Sequence, residues 1–354
     1  MARTNAIGLT KADYKGAPTT LCQGCGHNSI LSQIIAALFE MNVRPEDVVK
    51  FSGIGCSSKA PTYMLSRSFG FNGLHGRMPA LATGALVADV TLKGIGMSGD
   101  GDTASIGMGH FKHVLRRNLP LVYIVANNGV YGLTKGQFAP TAEQGLTLKH
   151  HGTNPYMPVD VCMEALAGGA TFVARSFAGD PKQLKALIKA AFHHNGLAVI
   201  DVVSPCVTFN NEPSAHYSYG WARDHEAPLH TLDFIPPEEE ILLDKPMEPG
   251  ERRVIRLHDG SVVVLEQVDR DYDPTDRFAA MRALEESYRR EVLLTGLLYI
   301  ETEGRENLFQ VLNLPEDKPL NRMTQEELRP AASVLEEINA KDMFHGVDAR
   351  VNGR

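Results

Sequence analysis

The residues best spaced for chemistry are Gly99-Asp100-Gly101-Asp102-Thr103-Ala104 and, downstream, Asn127-Asn128-Gly129. The first run follows an apolar stretch, Gly94 to Ser98, and opens a helical one, Ala104 to Leu115. A second apolar strand, Leu121 to Ala126, ends at the asparagines. Two neighbouring strand ends would then each present an oxygen ligand, Asp100 and Asn128. A carboxylate and an amide oxygen suit a hard cation such as Mg2+, which completes its shell with substrate phosphates and water.

A dinucleotide fold is the rival reading, because Gly99-x-Gly101-x-x-Ala104 satisfies the loose fingerprint for it. Two details oppose it. Asp100 sits between the glycines, where an approaching pyrophosphate would be repelled unless a metal intervened. The next strand ends in Asn127-Asn128, without the acid a ribose would need. A tight turn with no ligand accounts for the glycines but not for the paired oxygens.

Cysteine forms a second constellation. Cys22-Gln23-Gly24-Cys25 is a CxxC pair, Cys56 lies in Gly53-Ile54-Gly55-Cys56-Ser57-Ser58-Lys59, and Cys206 follows Ser204-Pro205. These four lie in or beside Gly- or Pro-containing turns, which suit an exposed sulfur. Cys162 instead falls on an apolar helix face, where a thiol is ordinary core. Disulfides are disfavoured, since no secretory leader is evident and the chain reads as cytoplasmic. A zinc site, a [4Fe–4S] cluster and a redox CxxC all remain open on spacing alone.

The elements that must position these residues alternate along the chain. Asn28 to Met41 reads as a helix, Val48 to Ser52 as a buried strand, and Pro79 to Leu92 as an Ala-rich helix. After the Asn127-Asn128 strand, residues 138 to 160 lack periodicity and read as a long functional loop. Thr171 to Arg175 is a strand, Pro181 to His193 an amphipathic helix, and Leu197 to Val203 another buried strand. Such alternation predicts an α/β fold, a mostly parallel sheet covered by helices on both faces, with ligands at the carboxyl ends of its strands.

The 354 residues allow one large domain, expected over 1–225, plus a C-terminal extension over 226–354 that wraps the surface and covers a partner. In the extension, Asp224 to Gly250 is rich in Pro and Glu, and Arg253 to Val268 reads as a hairpin about Asp259-Gly260. Asp276 to Leu294 reads as a charged helix and Leu297 to Thr302 as a strand. Thr324-Gln325-Glu326-Glu327 reads as a capping box opening a last helix, and Arg350 and Arg354 belong to a short tail. A formal charge of −7 argues against nucleic acid, and no apolar run is long enough to suggest a membrane span.

The ordered motifs resemble the β subunits of 2-oxoacid:ferredoxin oxidoreductases over roughly residues 15 to 225. The resemblance rests on the thiamine diphosphate (TPP) motif at Gly99-Asp100-Gly101 with Asn128, the upstream CxxC, Gly55-Cys56-Ser57-Ser58-Lys59 and Ser204-Pro205-Cys206. Leu74-His75-Gly76-Arg77 and Ala82-Thr83-Gly84 agree with it, and Tyr131-Gly132-Leu133-Thr134-Lys135-Gly136-Gln137 looks more like the 2-oxoglutarate type than the pyruvate type. The resemblance implies a TPP-binding fold in which Asp100, Asn128 and the Val130 carbonyl hold Mg2+. It implies that Cys22, Cys25, Cys56 and Cys206 hold a [4Fe–4S] cluster. Gly55, Ser57, Ser58, Gly99, Gly101, Asp102, Gly132 and Thr134 would line the cofactor, His75 would contact its diphosphate, Lys59 would face the cofactor and substrate carboxylates, and Leu133 would line the substrate pocket, these last three being the expected catalytic residues.

The implied reaction is oxidative decarboxylation of 2-oxoglutarate with coenzyme A to succinyl-CoA and CO2, with electrons leaving through the cluster to ferredoxin, and CO2 fixation in reverse. Pyruvate or broad 2-oxoacid specificity is one alternative. A non-oxidative TPP enzyme and a zinc-stabilised scaffold are others. Lys59 and Lys135 flank the expected mouth, where a cation would favour a dicarboxylic substrate. No clear candidate stands for the glutamate that activates TPP, which in the family comes from the α subunit. The chain is therefore expected to be inactive alone and to work in an (αβ)2 assembly.

Overall fold

The computed structural model describes residues 4–230, 234, 252–256, 262–266, 272–302 and 304–347. In chain order the strands begin with β1 (Val48–Ser52), β2 (Phe69–Asn72), β3 (Lys93–Gly99) and β4 (Leu121–Asn127). Two short pairs follow, β5 (Val130–Tyr131) with β6 (Gln137–Phe138) and β7 (Thr147–Leu148) with β8 (Gly152–Thr153). Then come β9 (Phe172–Phe177), β10 (Leu197–Val203), β11 (Glu226–Pro228), β12 (Arg252–Arg256), β13 (Val262–Glu266) and β14 (Leu293–Ile300). The helices that pack on the sheet or close its loops are α1 (Gly26–Glu40), α2 (Ala60–Tyr63), α3 (Met78–Ala88), α4 (Met108–Arg117), α5 (Val161–Ala167), α6 (Pro181–His193), α7 (Tyr219–His225) and α8 (Arg277–Arg289).

Eight strands form one sheet in the order β11-β14-β9-β10-β4-β3-β1-β2. The six from β9 to β2 pair in parallel, and β14 joins β9 antiparallel. Central strands β4 and β10 are buried along their whole length, which explains their unbroken apolar runs. Alternate residues serve opposite faces. Val122, Ile124 and Ala126 join the core built with α1 and α6, while Leu121, Tyr123 and Val125 join that of α3, α4, α5 and α8. In β3, Gly94 and Gly96 let α3 settle against the sheet; a Cβ on Gly96 would meet the Met78 side chain at 2.8 Å.

From β1 the chain crosses to β2 on one side and later to β3 on the other. That reversal opens a crevice at the carboxyl ends of β1 and β3, the position where open α/β sheets bind ligands. α2 and the residues after it are anchored to β1 by Lys50, which is 3% exposed. Its ammonium donates to the carbonyls of Pro61, Met64 and Leu65 at 2.7–2.9 Å, using all three donors. Burial pushes the Lys50 pKa down to about 8.

Several elements differ from the sequence expectations. The helix expected at Ala104 to Leu115 is divided: a wide turn over Asp102–Ile106 comes first, and α4 starts after Gly107. The break exists because Gly107 packs against Gly76, leaving no room for a side chain at either. The helix expected at Asp276 to Leu294 stops at Arg289, and β14 takes up Leu293 and Leu294. Through β11 and β14, residues beyond 225 extend the same sheet, and α8 packs into the same core. The Thr324–Glu327 capping box is present, but it opens a single turn, Gln325–Leu328. Pro330 then pulls Arg329 into an extended conformation, and the longer helix Ala332–Val347 starts separately. β12 and β13 pair as an antiparallel hairpin, but its Asp259-Gly260 turn lies outside the described residues, as do residues 235–250, Arg350 and Arg354.

Candidate active site

The crevice is lined by three segments. The turn after β1 supplies Gly55, Cys56 and Ser57, the turn after β3 supplies Gly99 to Asp102, and the stretch after β4 supplies Asn128 and Val130 to Thr134. His27 and His75 close it from the sides. Parallel pairing of β3 with β4 sets Asp100 beside Asn128 at adjacent strand ends.

The Asp100 carboxylate is 2% exposed. Its Oδ2 accepts from the Gly129 N–H at 2.9 Å and the Thr141 hydroxyl at 2.6 Å. Burial pushes its pKa up to about 6, partly opposed by the Thr141 hydroxyl and by backbone N–H groups. Among the described residues no cation forms an ion pair with it. Asn128 Oδ1 accepts from the Val130 N–H at 3.0 Å, which bends the chain so that both residues border the crevice. The Ser57 hydroxyl is buried there without a partner. An unpaired buried carboxylate and an orphaned hydroxyl are each costly unless a ligand completes them. These donors fit a metal-bound diphosphate.

Asp102 plays a different part. Its Oδ1 accepts from His75 Nδ1 at 2.8 Å and the Gly76 N–H at 2.9 Å, and its Oδ2 accepts from the Ser98 hydroxyl at 2.8 Å. With both oxygens occupied, it orients His75. The Nδ1 proton goes to Asp102, so Nε2 is the ring nitrogen turned away from it.

The four turn cysteines meet at one end of the crevice. The Gly26 N–H donates to the Pro205 carbonyl at 3.1 Å, which draws the CxxC turn to Cys206. Gly132 lies between two other sulfurs: a Cβ there would stand 3.5 Å from Cys206 Sγ and 3.7 Å from Cys56 Sγ. Burial first, with Cys206, Cys56 and Cys22 adding to it, pushes the Cys25 thiol up to about 11. Cys56 and Cys206 are raised in the same way, by burial first and then by neighbouring thiols. Four thiols so placed repel one another as thiolates unless positive charge lies among them. Cys56 also lines the crevice, so the thiol cluster and the diphosphate-sized cleft share a wall.

The family described as thiamine pyrophosphate enzyme, C-terminal TPP binding domain, matches residues 53–202. The beta subunit of a 2-oxoacid:ferredoxin oxidoreductase from Saccharolobus solfataricus is 42% identical over 233 residues, which are 65% of this chain and 73% of that protein. The chain belongs to the family of 2-oxoacid:ferredoxin oxidoreductase beta subunits. A 2-oxoglutarate synthase subunit KorB from Methanocaldococcus jannaschii is 37% identical over 256 residues, 71% of this chain and 88% of that one. The solved 2-oxoglutarate:ferredoxin oxidoreductase from Magnetococcus marinus, with 2-oxoglutarate, coenzyme A and succinyl-CoA bound, superposes with a TM-score of 0.69 at 34% identity. That match covers 88% of this chain and 92% of the other.

Within this TPP-binding beta subunit, most of the residues expected at the site share the crevice: Gly55, Ser57, His75, Gly99, Asp100, Gly101, Asp102, Asn128, Val130, Gly132, Leu133 and Thr134. Ser58 and Lys59 do not line it. The Ser58 carbonyl accepts from Ser52 and Asn72, and Lys59 Nζ reaches the Thr20 hydroxyl at 3.3 Å. Lys59 still faces the thiols, since its charge lowers the Cys56 pKa against burial. Lys135 is exposed on a left-handed turn outside the lining. The loop acid Glu143 accepts from the His216 backbone N–H at 3.0 Å. Cys162 is fully buried in α5, among core residues.

Sequence reading missed His27 and Thr141. His27 is 2% exposed, with Nδ1 2.7 Å from the Ser204 hydroxyl. Burial pushes its pKa down to about 4, so a neutral imidazole borders the crevice. Its place two residues after Cys25 was the available signal. Thr141 had none, because its contact with Asp100 is made by the fold. Among the described residues no helix is long and apolar enough to cross a membrane.

Proposed function

We propose that this chain is the cofactor-binding subunit of a 2-oxoglutarate:ferredoxin oxidoreductase. It would work with an α subunit and coenzyme A and pass electrons to ferredoxin. The observation that carries the reading is the shared wall: Cys56 lines the cleft and, across Gly132, faces Cys206. Asp100, Asn128 and the Val130 carbonyl would hold Mg2+, and Ser57 and His75 would contact the diphosphate oxygens. Cys22, Cys25, Cys56 and Cys206 would hold a [4Fe–4S] cluster. A cluster needs four thiolates, and the four turn cysteines supply them.

When bound, TPP supplies the electron sink for decarboxylation, and a cluster beside it accepts electrons one at a time. The protein's part is placement. Neutral His27 presents a ring that adds no charge to the crevice. Asp102 holds His75 in one tautomer. Leu133, half exposed at the mouth, offers an apolar contact to the substrate chain. The 2-oxoglutarate reading is supported by the name of the Methanocaldococcus jannaschii relative and by the solved relative with that substrate bound. Its test is an anaerobic visible spectrum of the αβ complex. Bleaching of an iron–sulfur band by 2-oxoglutarate with coenzyme A, and much less by pyruvate, is expected. Faster bleaching by pyruvate overturns the substrate assignment, and zinc in place of iron and sulfide overturns the oxidoreductase mechanism.

A further inference from the structure

We propose that Thr141 is a positioning residue that aims the Asp100 carboxylate at the metal, with Tyr217 holding Thr141 in turn. The proposal rests on the reading of Asp100 as a Mg2+ ligand. Thr141 lies in the irregular stretch after β6, forty-one residues from Asp100 in sequence, yet it is fully buried against it. Its hydroxyl donates to Asp100 Oδ2 at 2.6 Å, and the Gly129 N–H donates to the same oxygen at 2.9 Å. Two donors on one oxygen fix the rotation of the carboxylate, and neither of these bonds uses Oδ1. Metal ligands held by such outer partners bind more tightly, because the ligand geometry is set before the ion arrives.

Thr141 is itself immobilised. Tyr217 Oη donates to its carbonyl at 2.7 Å. Just before it in the chain, the Ala139 N–H donates to the Gly129 carbonyl at 2.9 Å and the Pro140 carbonyl accepts from the Val159 N–H at 2.8 Å. The first of these ties the stretch to the same turn that carries Asn128. Tyr217 comes from the segment that follows Cys206, and in that segment Asn210 donates to the Asn128 carbonyl at 2.9 Å. One stretch of chain after the thiol cluster therefore braces both side-chain metal ligands, Asn128 directly and Asp100 through Thr141.

The test is calorimetric TPP binding to the αβ complex, titrated with Mg2+, in the wild type and in Thr141→Val, Thr141→Ser, Tyr217→Phe and Asp100→Asn. Valine keeps the shape of threonine and removes the donor. The Mg2+ concentration for half-saturation should rise about tenfold in Thr141→Val, within the range for loss of an outer metal partner. It should return to within about twofold of wild type in Thr141→Ser, which restores the hydroxyl, and rise only a few-fold in Tyr217→Phe. TPP affinity at saturating Mg2+ should be nearly unchanged, as should iron content. An unshifted Mg2+ dependence in folded Thr141→Val, with Asp100→Asn losing binding, overturns the positioning role alone. Full Mg2+-dependent binding by Asp100→Asn overturns the ligand reading beneath it. A melting-temperature loss in Thr141→Val without a Mg2+ shift assigns Thr141 a structural role and also overturns the proposal.

Discussion

Asn127 and Asn128 are neighbours at the end of β4, and they serve two buried polar centres of opposite character. Asn128 borders the crevice, where Asp100 has no cation beside it and its pKa is pushed up by burial to about 6. Asn127 turns the other way and donates to Asp201 at 3.0 Å. There Arg175 binds two acids, Asp201 at 3.0 Å through Nε and Asp160 at 2.8 Å through Nη2, and Tyr288 donates to Asp160 at 2.9 Å. Burial would push Asp160 up, but the guanidinium more than offsets it and holds the carboxyl below its usual range. Asp160, Arg175, Asp201 and Tyr288 come from the start of α5, β9, β10 and α8, so this knot ties the sheet to its helices. A buried charge with its partner already present is architecture, and one without a partner is a place for a ligand.

The sharpest way to break the comparison is Asp100→Asn. It should abolish Mg2+-dependent TPP binding while leaving the complex folded and its iron content unchanged, as read by calorimetry and metal analysis. The cysteines divide along the same line. Cys206→Ala should lose or degrade the cluster, whereas Cys162→Ala should not, because Cys162 packs beside the Arg175 knot and donates weakly to the Ala174 carbonyl at 3.6 Å. Equal iron and sulfide in the two variants would erase the distinction.

Arg175→Met should act on stability instead. Stranding two buried carboxylates costs about 3–5 kcal/mol, visible as a lowered denaturant midpoint, while the folded fraction keeps its TPP affinity. A folded variant with lost TPP binding and unchanged stability would show that the knot belongs to the site. Tyr288→Phe, which removes one hydrogen bond to Asp160, should cost only about 1 kcal/mol and leave substrate kinetics alone. The smallest expected effect tests the mouth. Lys135→Ala should lower the preference for 2-oxoglutarate over pyruvate by a few-fold at most, since this lysine is exposed and outside the crevice lining. An unchanged kcat/KM ratio removes it from specificity.

The alternation of strands and helices is legible along the chain, because fully buried parallel strands need unbroken apolar runs such as Leu121 to Ala126 and Leu197 to Val203. The sequence also placed the glycines, Asp100, Asn128, Cys56 and Cys206 in turns after strands, and Cys22 and Cys25 in the turn before α1, since chemistry at element ends leaves short local motifs. Tertiary structure alone decided what each polar group faces. Asp102 borders the crevice, and its oxygens turn to His75, Gly76 and Ser98. Lys59 reaches the Thr20 hydroxyl and acts on the Cys56 thiol. Thr141 meets Asp100, and Arg175 gathers Asp160 and Asp201, across separations that no local pattern records. Apolar burial depends mainly on periodicity along the chain and is written locally. Hydrogen bonds and ion pairs depend on the position and angle of two atoms, and for residues distant in sequence only the packed sheet fixes both.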